Sequence, residues 1–464
     1  MRIAVLGGGP GGYSAAFEAA RLGAEVTLVE RERLGGTCLN WGCIPTKTIL
    51  RSAHIVSDTK RAAEFGLNAE VATVDIDALR TRKEGVVDTL VGQLESTAKR
   101  LKVRIVYGEG RLTSAGSIEV ALAEGGAEIV EADAVILATG SIVFKLPNID
   151  HDMDGVWTSD DAVSLTEIPG EILIIGGGVI GLEFACAYAS FGSTVTVVEL
   201  MDQVLPGNDK RVAKTMQAEL EKMGIAFHIG DAVESVERVG DRMRSTLKSG
   251  GTIESDIVMS AVGRRPNSVG FGYEEVGLEF DRAAIKADAY FRTNLPGVYA
   301  IGDLIGGMML AHVAEEEGVL AARNAVAEFR AAETGASPHL EGIDYSAIPA
   351  AVYTYPGVGV LGSSRDSAME RGIDAIQAVA KFGGNAKALG EGDADGFVQL
   401  VAEKGTGAIV GCQIVGPSAV EIIQEVAVAK RWGMTVHQLA ETVHGHPTVG
   451  EVIKAAAIDA AGRV

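Results

Sequence analysis

Basic residues are scarce in this sequence of 464 residues, because 41 lysines and arginines face 62 aspartates and glutamates and leave a formal net charge of −21. Such a chain is repelled by phosphate backbones and anionic lipid, so the composition argues against nucleic acids and membrane surfaces as partners. There are only 12 prolines, and aromatic residues make up 5% of the chain, whereas 59 glycines indicate many tight turns and close backbone approaches. The length is too great for one core and predicts three or four domains.

Long apolar runs are also missing. The longest one, near Ile172, is interrupted by Glu183, so no membrane-spanning segment is expected. An apolar stretch follows Met1, but the glycine cluster after it argues against a signal peptide, and nothing before the first predicted strand resembles a transit peptide.

Cysteine is rare too, with four residues in the whole chain. Four cysteines do not make a disulfide scaffold, so we expect a cytoplasmic protein, in which a retained cysteine pair is more often catalytic than structural. Cys186 and Cys412 lie in apolar sequence, where we expect them to be buried in the core. Cys38 and Cys43 are close together and require a different explanation.

The first 30 residues have the pattern of a dinucleotide-binding unit. A short apolar strand over residues 3–6 is followed by the sequence GGGPGG at 7–12, and a helix is predicted over 13–22. A second strand over 25–29 ends on Glu30. A strand, glycine turn, helix, strand and terminal acid in this order predict a bound dinucleotide.

Each glycine has a separate task in this interpretation. Gly7 permits the turn, Gly9 lets the backbone approach a pyrophosphate, and Gly12 lets helix and strand pack closely. The helix N-terminus faces the phosphates, and Glu30 can accept both hydroxyls of a ribose. The alternative is a glycine turn with a purely structural role, against which the flanking strands and the placed acid argue.

The same pattern recurs later in the chain. Residues 172–199 align without a gap to residues 3–30 at a constant offset of 169 positions, with the same terminal acid and identical residues at Gly7, Gly8, Gly9 and Gly12. The equivalent residues of this second motif are Gly176, Gly178, Gly181 and Glu199. Two dinucleotide units predict two cofactors and electron transfer between them.

The acid of the second motif favours NAD over NADP. Glu199 would repel a 2′-phosphate, and the residues after it, LMDQVLP, contain no arginine that could hold one.

Three further buried strands end on small or acidic residues, over 134–140, 256–263 and 298–303. Asp303 therefore lies at the carboxyl end of a strand, where ligands of open parallel sheets bind. A helix N-cap is an equally good interpretation of the same carboxylate.

The C-terminal part lacks a cofactor motif. We interpret residues 330–349 as a linker because they lack apolar periodicity and contain Gly and Pro. Beyond them we predict strands over 396–402 and 408–415 and helices over 419–432 and 449–461. This pattern predicts an α+β domain for packing or oligomerisation.

The sequence GGTCLNWGCIPTK holds the remaining cysteines, and Cys38 and Cys43 are five residues apart. A disulfide that closes so small a loop is suited to exchange, although a structural disulfide remains an alternative. Lys47 lies four residues beyond Cys43, so on a helix that begins near Pro45 its charge would stabilise a thiolate. A zinc site is excluded because two further ligands at suitable spacing are lacking.

Thiol exchange needs a proton acceptor, since a thiol is mostly protonated at neutral pH. The dense histidine cluster is His444-Gly445-His446, with Glu451 shortly after. A histidine held by a carboxylate is the usual general base, but such a pair beside a proline is also typical of a capped loop. The sequence leaves open whether His446 would serve Cys38 of its own chain or of a partner.

Taken together, these motifs resemble the flavin-dependent pyridine nucleotide-disulfide oxidoreductases. The resemblance covers essentially the whole chain, in the order GGGPGG, GGTCLNWGCIPTK, ATG, GGGVIGLEFA, VGRRPN, VYAIGD, GPSAVEII and HGHPTVGE. It implies FAD on the first unit, NAD on the second and a homodimer. The implied substrate is the lipoyl dithiol of a 2-oxo acid dehydrogenase or glycine cleavage complex.

The resemblance also assigns residues to each cofactor. The implied FAD residues are Gly7, Gly9, Gly12, Glu30, Lys47, Gly140 and Asp303. The implied residues on the NAD side are Gly176, Gly178, Gly181, Glu183, Glu199 and Gly263.

Further roles follow from the same resemblance. Cys38 would exchange with the substrate, and Cys43 would lie against the flavin. Lys47 would pair with Glu183 near the flavin N5. His446, with Glu451, would complete the site of the partner subunit.

The expected fold class is α/β, with two Rossmann-like dinucleotide-binding domains and a C-terminal α+β dimerisation domain. We expect the FAD domain over residues 1–145 and 266–335, the NAD domain over 146–265, and the interface domain over 336–464.

Some residues depart from the family pattern. Trp41 stands where a small aliphatic residue is usual, Gly357 replaces a common glutamate, and Gly445 replaces a common alanine. The identity of the substrate that reaches Cys38 is therefore left open by the sequence, and a glutathione-type or mercuric reductase remains an alternative. A non-catalytic FAD/NAD redox sensor is the alternative from another class, but it would not need His446.

Overall fold

The computed structural model describes residues 1–464, and the chain folds into two compact units that are each discontinuous in sequence. The first unit comprises residues 1–48, 80–144 and 263–343. The second unit comprises residues 49–79, 145–262 and 344–464.

A seven-stranded sheet organises the first unit. Its strands, in spatial order, are Val298–Ala300, Ala134–Leu137, Arg2–Leu6, Glu25–Glu30, Arg104–Ser114, Ser117–Leu122 and Ala127–Glu131. The first five are parallel, and the last two extend the sheet in antiparallel fashion. Two short antiparallel pairs complete the strands of this unit: Ser141–Val143 with Arg264–Pro266, and Phe280–Asp281 with Ala284–Ile285.

Both faces of this sheet are buried at its centre, which explains why the central strands Arg2–Leu6 and Ala134–Leu137 are almost continuously apolar. Along the strand Arg2–Leu6, Ile3 and Val5 belong to one hydrophobic cluster, whereas Ala4 and Leu6 belong to another on the opposite face. The helices Pro10–Arg21 and Ala311–Thr334 contribute to the first cluster.

Four further helical segments belong wholly or partly to this unit. Gly36–Asn40 and the 3₁₀ helix Gly302–Ile305 are short. The long helices Cys43–Lys60 and Ile76–Leu101 have part of their length in residues 49–79 of the second unit.

The second unit contains three sheets. A parallel sheet has the order Ala226–Ile229, Thr194–Glu199, Glu171–Ile175, Ile257–Ser260 and Val156–Trp157. An antiparallel sheet has the order Val233–Val239, Arg242–Leu247 and Thr252–Ser255. A second antiparallel sheet has the order Pro349–Val352, Gly357–Gly362, Ile409–Gly416, Phe397–Glu403 and Ala375–Lys381.

The helices of this unit are Ser159–Ser164, Val179–Phe191, Lys210–Lys222, Arg365–Glu370, Ala386–Gly390, Ala419–Arg431, Val436–Glu441 and Glu451–Ala461. Its 3₁₀ helices are Ala62–Phe65, Tyr345–Ala347 and Phe382–Gly384.

The sequence repeat is also a structural repeat. In the first unit Arg2 pairs with Glu25 across two parallel strands, and in the second unit Glu171 pairs with Thr194. Both partners are shifted by the same 169 positions, so the register of the strands is preserved as well as the glycine turn. The predicted α/β architecture with two such units is present.

Cys186 and Cys412 are buried in the second unit, with 2% and 0% of their surface exposed, as expected. No helix is long and apolar enough to cross a membrane.

The predicted linker over residues 330–349 is only partly right. The helix Ala311–Thr334 includes its first residues, Tyr345–Ala347 form a 3₁₀ turn, and a strand begins at Pro349. Alanines 331 and 332 favour helix, and Gly335, with a φ of 71°, ends it in the left-handed conformation.

Candidate functional site

The first glycine motif forms a tight turn between strand and helix. Gly7 has a φ of 105°, and a Cβ added to Gly12 would lie 1.8 Å from the Gly7 carbonyl oxygen. Gly9 is the N-cap of the helix Pro10–Arg21, whose first amides point out of the turn. Because the helix starts against bare backbone, this end can accept a phosphate group.

Glu30 is held toward this turn by backbone donors. The N–H of Gly8 donates to its Oε2 at 2.7 Å, and the N–H of Glu32 donates to its Oε1 at 2.9 Å. A Cβ on Gly8 would lie 2.9 Å from that Oε2. Gly8 is therefore a functional position that the sequence argument missed, although the repeated GGG triplet was a signal for it.

The second glycine motif repeats this geometry. Gly176 has a φ of 109°, and a Cβ on Gly181 would lie 2.0 Å from the Gly176 carbonyl oxygen. Gly178 is the N-cap of the helix Val179–Phe191. The cradle that a Cβ would fill is thus present twice, and both motifs fit a dinucleotide.

Glu199 is bound in the same way as Glu30. It accepts the N–H of Gly177 at 2.6 Å and the N–H of Met201 at 2.7 Å. Only 6% of its surface is exposed, and its carboxylate lies beside the glycine turn, which fits a ribose and not a 2′-phosphate.

The two cysteines of the redox motif lie at a junction of helices. Cys38 is in the short helix Gly36–Asn40, and Cys43 is the first residue of the 18-residue helix Cys43–Lys60. This helix begins two residues earlier than expected. The Cys43 thiol therefore lies at a helix N-terminus, where partial positive charge stabilises a thiolate.

Both cysteines are free thiols here, and their side chains share a hydrogen bond. That hydrogen bond and burial raise the pKa of Cys38, whereas the charge of Lys47 lowers it. A pair this close can hold one negative charge between its sulfurs and can close to a disulfide.

A tyrosine and a glutamate stand beside the thiol pair, and the sequence argument missed both. The Tyr13 hydroxyl donates a hydrogen bond to Oε1 of Glu315. Burial and this carboxylate raise the pKa of Tyr13, and both cysteines act on it in the same direction. Glu315 also raises the pKa of Cys38. No short-range motif links Tyr13 to a residue 302 positions away.

Asp303 lies inside the 3₁₀ helix Gly302–Ile305 and caps nothing, so the N-cap interpretation is wrong. Its Oδ2 accepts the hydroxyl of Ser141 at 2.5 Å. Arg264 donates from Nε to the same hydroxyl oxygen and from Nη2 to the Ser141 carbonyl, both at 2.8 Å. Gly140, with a φ of 70°, directly precedes Ser141. The predicted residue Asp303 thus lies in a polar network with Ser141 and Arg264, and the predicted Gly140 is next to it in the chain.

The other two residues predicted on the NAD side, Glu183 and Gly263, belong to different units of the structure. Glu183 is 2% exposed in the helix Val179–Phe191 and accepts the N–H of Tyr353 at 3.0 Å. Gly263, with a φ of 117°, is the first residue of a segment that belongs to the first unit. The predicted pairing of Lys47 with Glu183 stays a prediction.

The two histidines of the C-terminal cluster have different environments. His446 is 72% exposed, and its Nδ1 lies 3.0 Å from Oε1 of Glu451. His444 is 9% exposed, and its Nε2 lies 2.7 Å from Oε1 of Glu425. Both histidines therefore have a carboxylate partner, and they differ in burial, since only the imidazole of His446 is open to solvent.

Glu451 is oriented as well as paired. The N–H of Thr448 donates to its Oε2 at 2.9 Å. This bond is the main cause that lowers the pKa of Glu451, and the hydrogen bond with His446 lowers it further. When Nδ1–H of His446 donates to this carboxylate, Nε2 keeps its lone pair and points away from Glu451 to accept a proton.

Comparison with known proteins identifies the family to which the chain belongs. The family model described as pyridine nucleotide-disulphide oxidoreductase matches residues 1–318. The dimerisation domain of the same family matches residues 348–457.

Individual relatives extend over almost the whole chain. Dihydrolipoyl dehydrogenase of Bacillus subtilis is 39% identical over 463 residues, which cover 99% of this chain and 96% of the relative. The mitochondrial dihydrolipoyl dehydrogenase of Dictyostelium discoideum is 37% identical over 468 residues, with coverage of 99% and 94%. The crystal structure of LpdA from Mycobacterium tuberculosis matches with a TM-score of 0.91 at 28% identity and covers 99% of both chains.

Proposed function

This chain belongs to the pyridine nucleotide-disulphide oxidoreductases, as its motifs predicted, and we propose from that premise that it is a dihydrolipoamide dehydrogenase. It oxidises the dithiol of a protein-bound lipoyl group and passes the electrons through Cys38 and Cys43 and FAD to NAD. The observation that carries the proposal is the hydrogen-bonded Cys38–Cys43 pair at a helix N-terminus, in a chain whose full-length relatives are dihydrolipoyl dehydrogenases.

The two glycine motifs assign the cofactors. The first motif precedes the cysteine helices and would bind FAD with Gly7, Gly9, Gly12 and Glu30, and the second would bind NAD with Gly176, Gly178, Gly181 and Glu199. FAD, when bound, supplies a two-electron acceptor for the thiol pair and a hydride donor for NAD. Lys47, Gly140 and Asp303 complete the proposed FAD residues, and Glu183 and Gly263 those on the NAD side.

The thiol chemistry is performed by residues of the chain itself. His446 takes a proton from one substrate thiol, and Glu451 stabilises the resulting imidazolium. The substrate thiolate attacks Sγ of Cys38, the Cys38–Cys43 bond breaks, and Cys43 leaves as a thiolate. The second substrate thiol then attacks the substrate sulfur of the mixed disulfide, its proton goes to the departing Cys38 sulfur, and the substrate disulfide closes, so the enzyme pair has gained two electrons.

The helix N-terminus at Cys43 favours this leaving thiolate. This position supports Cys43 as the sulfur that carries the charge and Cys38 as the residue that meets the substrate.

A dimerisation domain is present at residues 348–457, and we infer a homodimer in which His446 and Glu451 serve the thiol pair of the partner subunit. His446 is suited to that role because it is exposed on its own chain. A lipoyl domain of a 2-oxo acid dehydrogenase or glycine cleavage complex is the proposed protein partner. The scarcity of cysteine favours a cytoplasmic location.

A glutathione-type or mercuric reductase is the alternative within the family. A glutathione-type enzyme would need NADP, which Glu199 disfavours. Steady-state rates with dihydrolipoamide, glutathione disulfide and mercuric ion, each with NAD(H) and NADP(H), test the proposal. We expect turnover with dihydrolipoamide and NAD; turnover only with NADPH and glutathione disulfide would refute it.

His446→Gln tests the base. We expect bound FAD to be retained and dihydrolipoamide turnover to fall roughly 10²-fold or more, the scale of a lost general base. An unchanged rate at equal FAD content would remove His446 from the mechanism.

A further inference from the structure

The loop between the helices Val436–Glu441 and Glu451–Ala461 carries the exposed His446 and contains a second histidine–carboxylate pair. His444 is almost fully buried, whereas Val443 beside it is 88% exposed. A buried imidazole next to so exposed a residue must be held by specific partners, because burial of unpaired polar atoms is costly.

Those partners contact both edges of the ring. Nε2 of His444 lies 2.7 Å from Oε1 of Glu425, and Nδ1 lies 3.1 Å from the carbonyl oxygen of Thr442. Glu425 belongs to the helix Ala419–Arg431. The pair therefore attaches the loop to a helix that is not adjacent to it in the chain.

Other bonds hold the two ends of the same loop. Lys454 donates to the Thr442 carbonyl oxygen at 2.7 Å, and Asn385 donates to the Thr448 carbonyl oxygen at 2.9 Å. Between these ends, His444 provides the side-chain anchor two residues before His446. Without that anchor, the loop that carries His446 would be held by the bonds at its ends, the bond from Thr448 Oγ1 to the Gly445 carbonyl and the His446–Glu451 contact.

The His444–Glu425 pair also influences the pKa of Glu451, the carboxylate partner of His446. The charge of His444 is among the influences that lower the pKa of Glu451, after the Thr448 N–H and His446 itself. At Gly450, an added Cβ would lie 3.7 Å from both Oε2 of Glu425 and Cδ2 of His444. The chain thus passes closely between the buried pair and Glu451.

We propose that His444 and Glu425 are positioning residues, which hold the loop so that the His446–Glu451 pair is presented to the substrate thiol. The inference rests on the proposed role of His446. It explains why two histidines occur within three residues: one accepts the proton and the other fixes the geometry.

The test uses the full-length holoenzyme and four variants. His444→Ala removes the anchor, and we expect kcat for dihydrolipoamide oxidation to fall about 10-fold or more with little change in KM, because small displacements of a reacting group cost rate and not binding. The rate of NADH oxidation by ferricyanide, which does not need the base, should be unchanged. Tm should also be close to that of the wild type.

Two conservative variants separate positioning from general stability. In His444→Gln the side-chain amide reaches the position of Nε2 and can donate to Glu425, whereas in His444→Asn it reaches only that of Nδ1. We expect His444→Gln to recover most of the lost kcat and His444→Asn to recover little. His437→Ala, at an exposed histidine of the helix Val436–Glu441, is the matched control and should match the wild type.

Hydrogen exchange of the backbone amides of residues 442–450 gives a readout that does not depend on activity. We expect faster exchange in His444→Ala than in His437→Ala, with His444→Gln close to the wild type. Equal kcat and equal exchange in His444→Ala and the control would overturn the inference, as would equal recovery by Gln and Asn. A wild-type enzyme that fails to oxidise dihydrolipoamide would refute the proposed function instead, and loop exchange would then decide the anchoring by itself.

Discussion

The two glycine motifs of this protein share their local geometry but differ in what surrounds them. In both, the first glycine has a left-handed φ, and the terminal glutamate accepts the N–H of the second glycine. In both, the backbone N–H of a residue further along the chain donates to the carbonyl oxygen of the second glycine. Gly35 donates to Gly8 and Leu205 donates to Gly177, each at 2.8 Å. The shared part is therefore the whole binding turn.

The surroundings close the first motif and leave the second one open. A Cβ on Gly9 would lie 3.8 Å from Cα of Gly36, whereas a Cβ on Gly178, the equivalent of Gly9, would meet nothing within 4 Å. A Cβ on Gly318 would lie 2.2 Å from the Gly11 carbonyl, and Ile180 replaces Gly11 in the second motif. The first motif is thus packed more closely by neighbouring backbone than the second.

We expect the largest effect on activity from substitution of the glycine that lets helix and strand pack closely in each motif. Gly12→Ala and Gly181→Ala place a Cβ about equally close to a carbonyl oxygen, so both distort the turn. We expect Gly12→Ala to lose FAD and with it all turnover. We expect Gly181→Ala to retain FAD and to lose only the reaction with NAD(H), which FAD absorbance and NADH oxidation rates will measure.

Gly92→Ala is the matched control, since that glycine is in the helix Ile76–Leu101 with open space around its Cα. It should leave both activities intact and stabilise the helix by roughly 0.5–1 kcal/mol. Loss of FAD from Gly181→Ala would contradict the assignment of cofactors to the two motifs.

The next prediction compares one cysteine from each unit. Cys43→Ser should abolish dihydrolipoamide oxidation and leave NADH oxidation by ferricyanide, because the thiol pair is lost but the nucleotide motifs are intact. Cys186 follows the second motif, and burial raises its pKa to about 12, so it is a neutral thiol at pH 8. Cys186→Ala should therefore change only stability, by about 1 kcal/mol. Turnover of dihydrolipoamide by Cys43→Ser would exclude the thiol route.

The smallest effect concerns the two acids. Glu199→Gln keeps an acceptor for the Gly177 N–H but removes the charge, so we expect the ratio of kcat/KM for NADPH over NADH to rise roughly 10-fold, about 1.4 kcal/mol. Glu30→Gln makes the same change in the first motif and should leave this ratio alone. A shift of the ratio in Glu30→Gln, or none in Glu199→Gln, would show that the ribose acid is misassigned.

Patterns within about 30 residues were predictable because backbone sterics decide them. Gly7 and Gly176 need a left-handed φ, Gly12 and Gly181 need bare backbone, and these needs are written in the residue type. The thiol pair could also be predicted, because its two cysteines are only five residues apart in the sequence. The linker prediction was wrong at its first residues, because isolated polar residues do not interrupt a helix that packs well.

The sequence by itself determined two nucleotide units, an exchangeable thiol pair and a histidine with a nearby carboxylate, since each depends on neighbours in the chain. Only the tertiary structure decided which of two histidines is exposed and which is anchored, because Glu425 is 19 positions from His444. It likewise brought Glu315 to Tyr13 and Asp303 to Ser141. Such contacts depend on how helices and strands pack, and residue type alone does not specify partners across hundreds of positions.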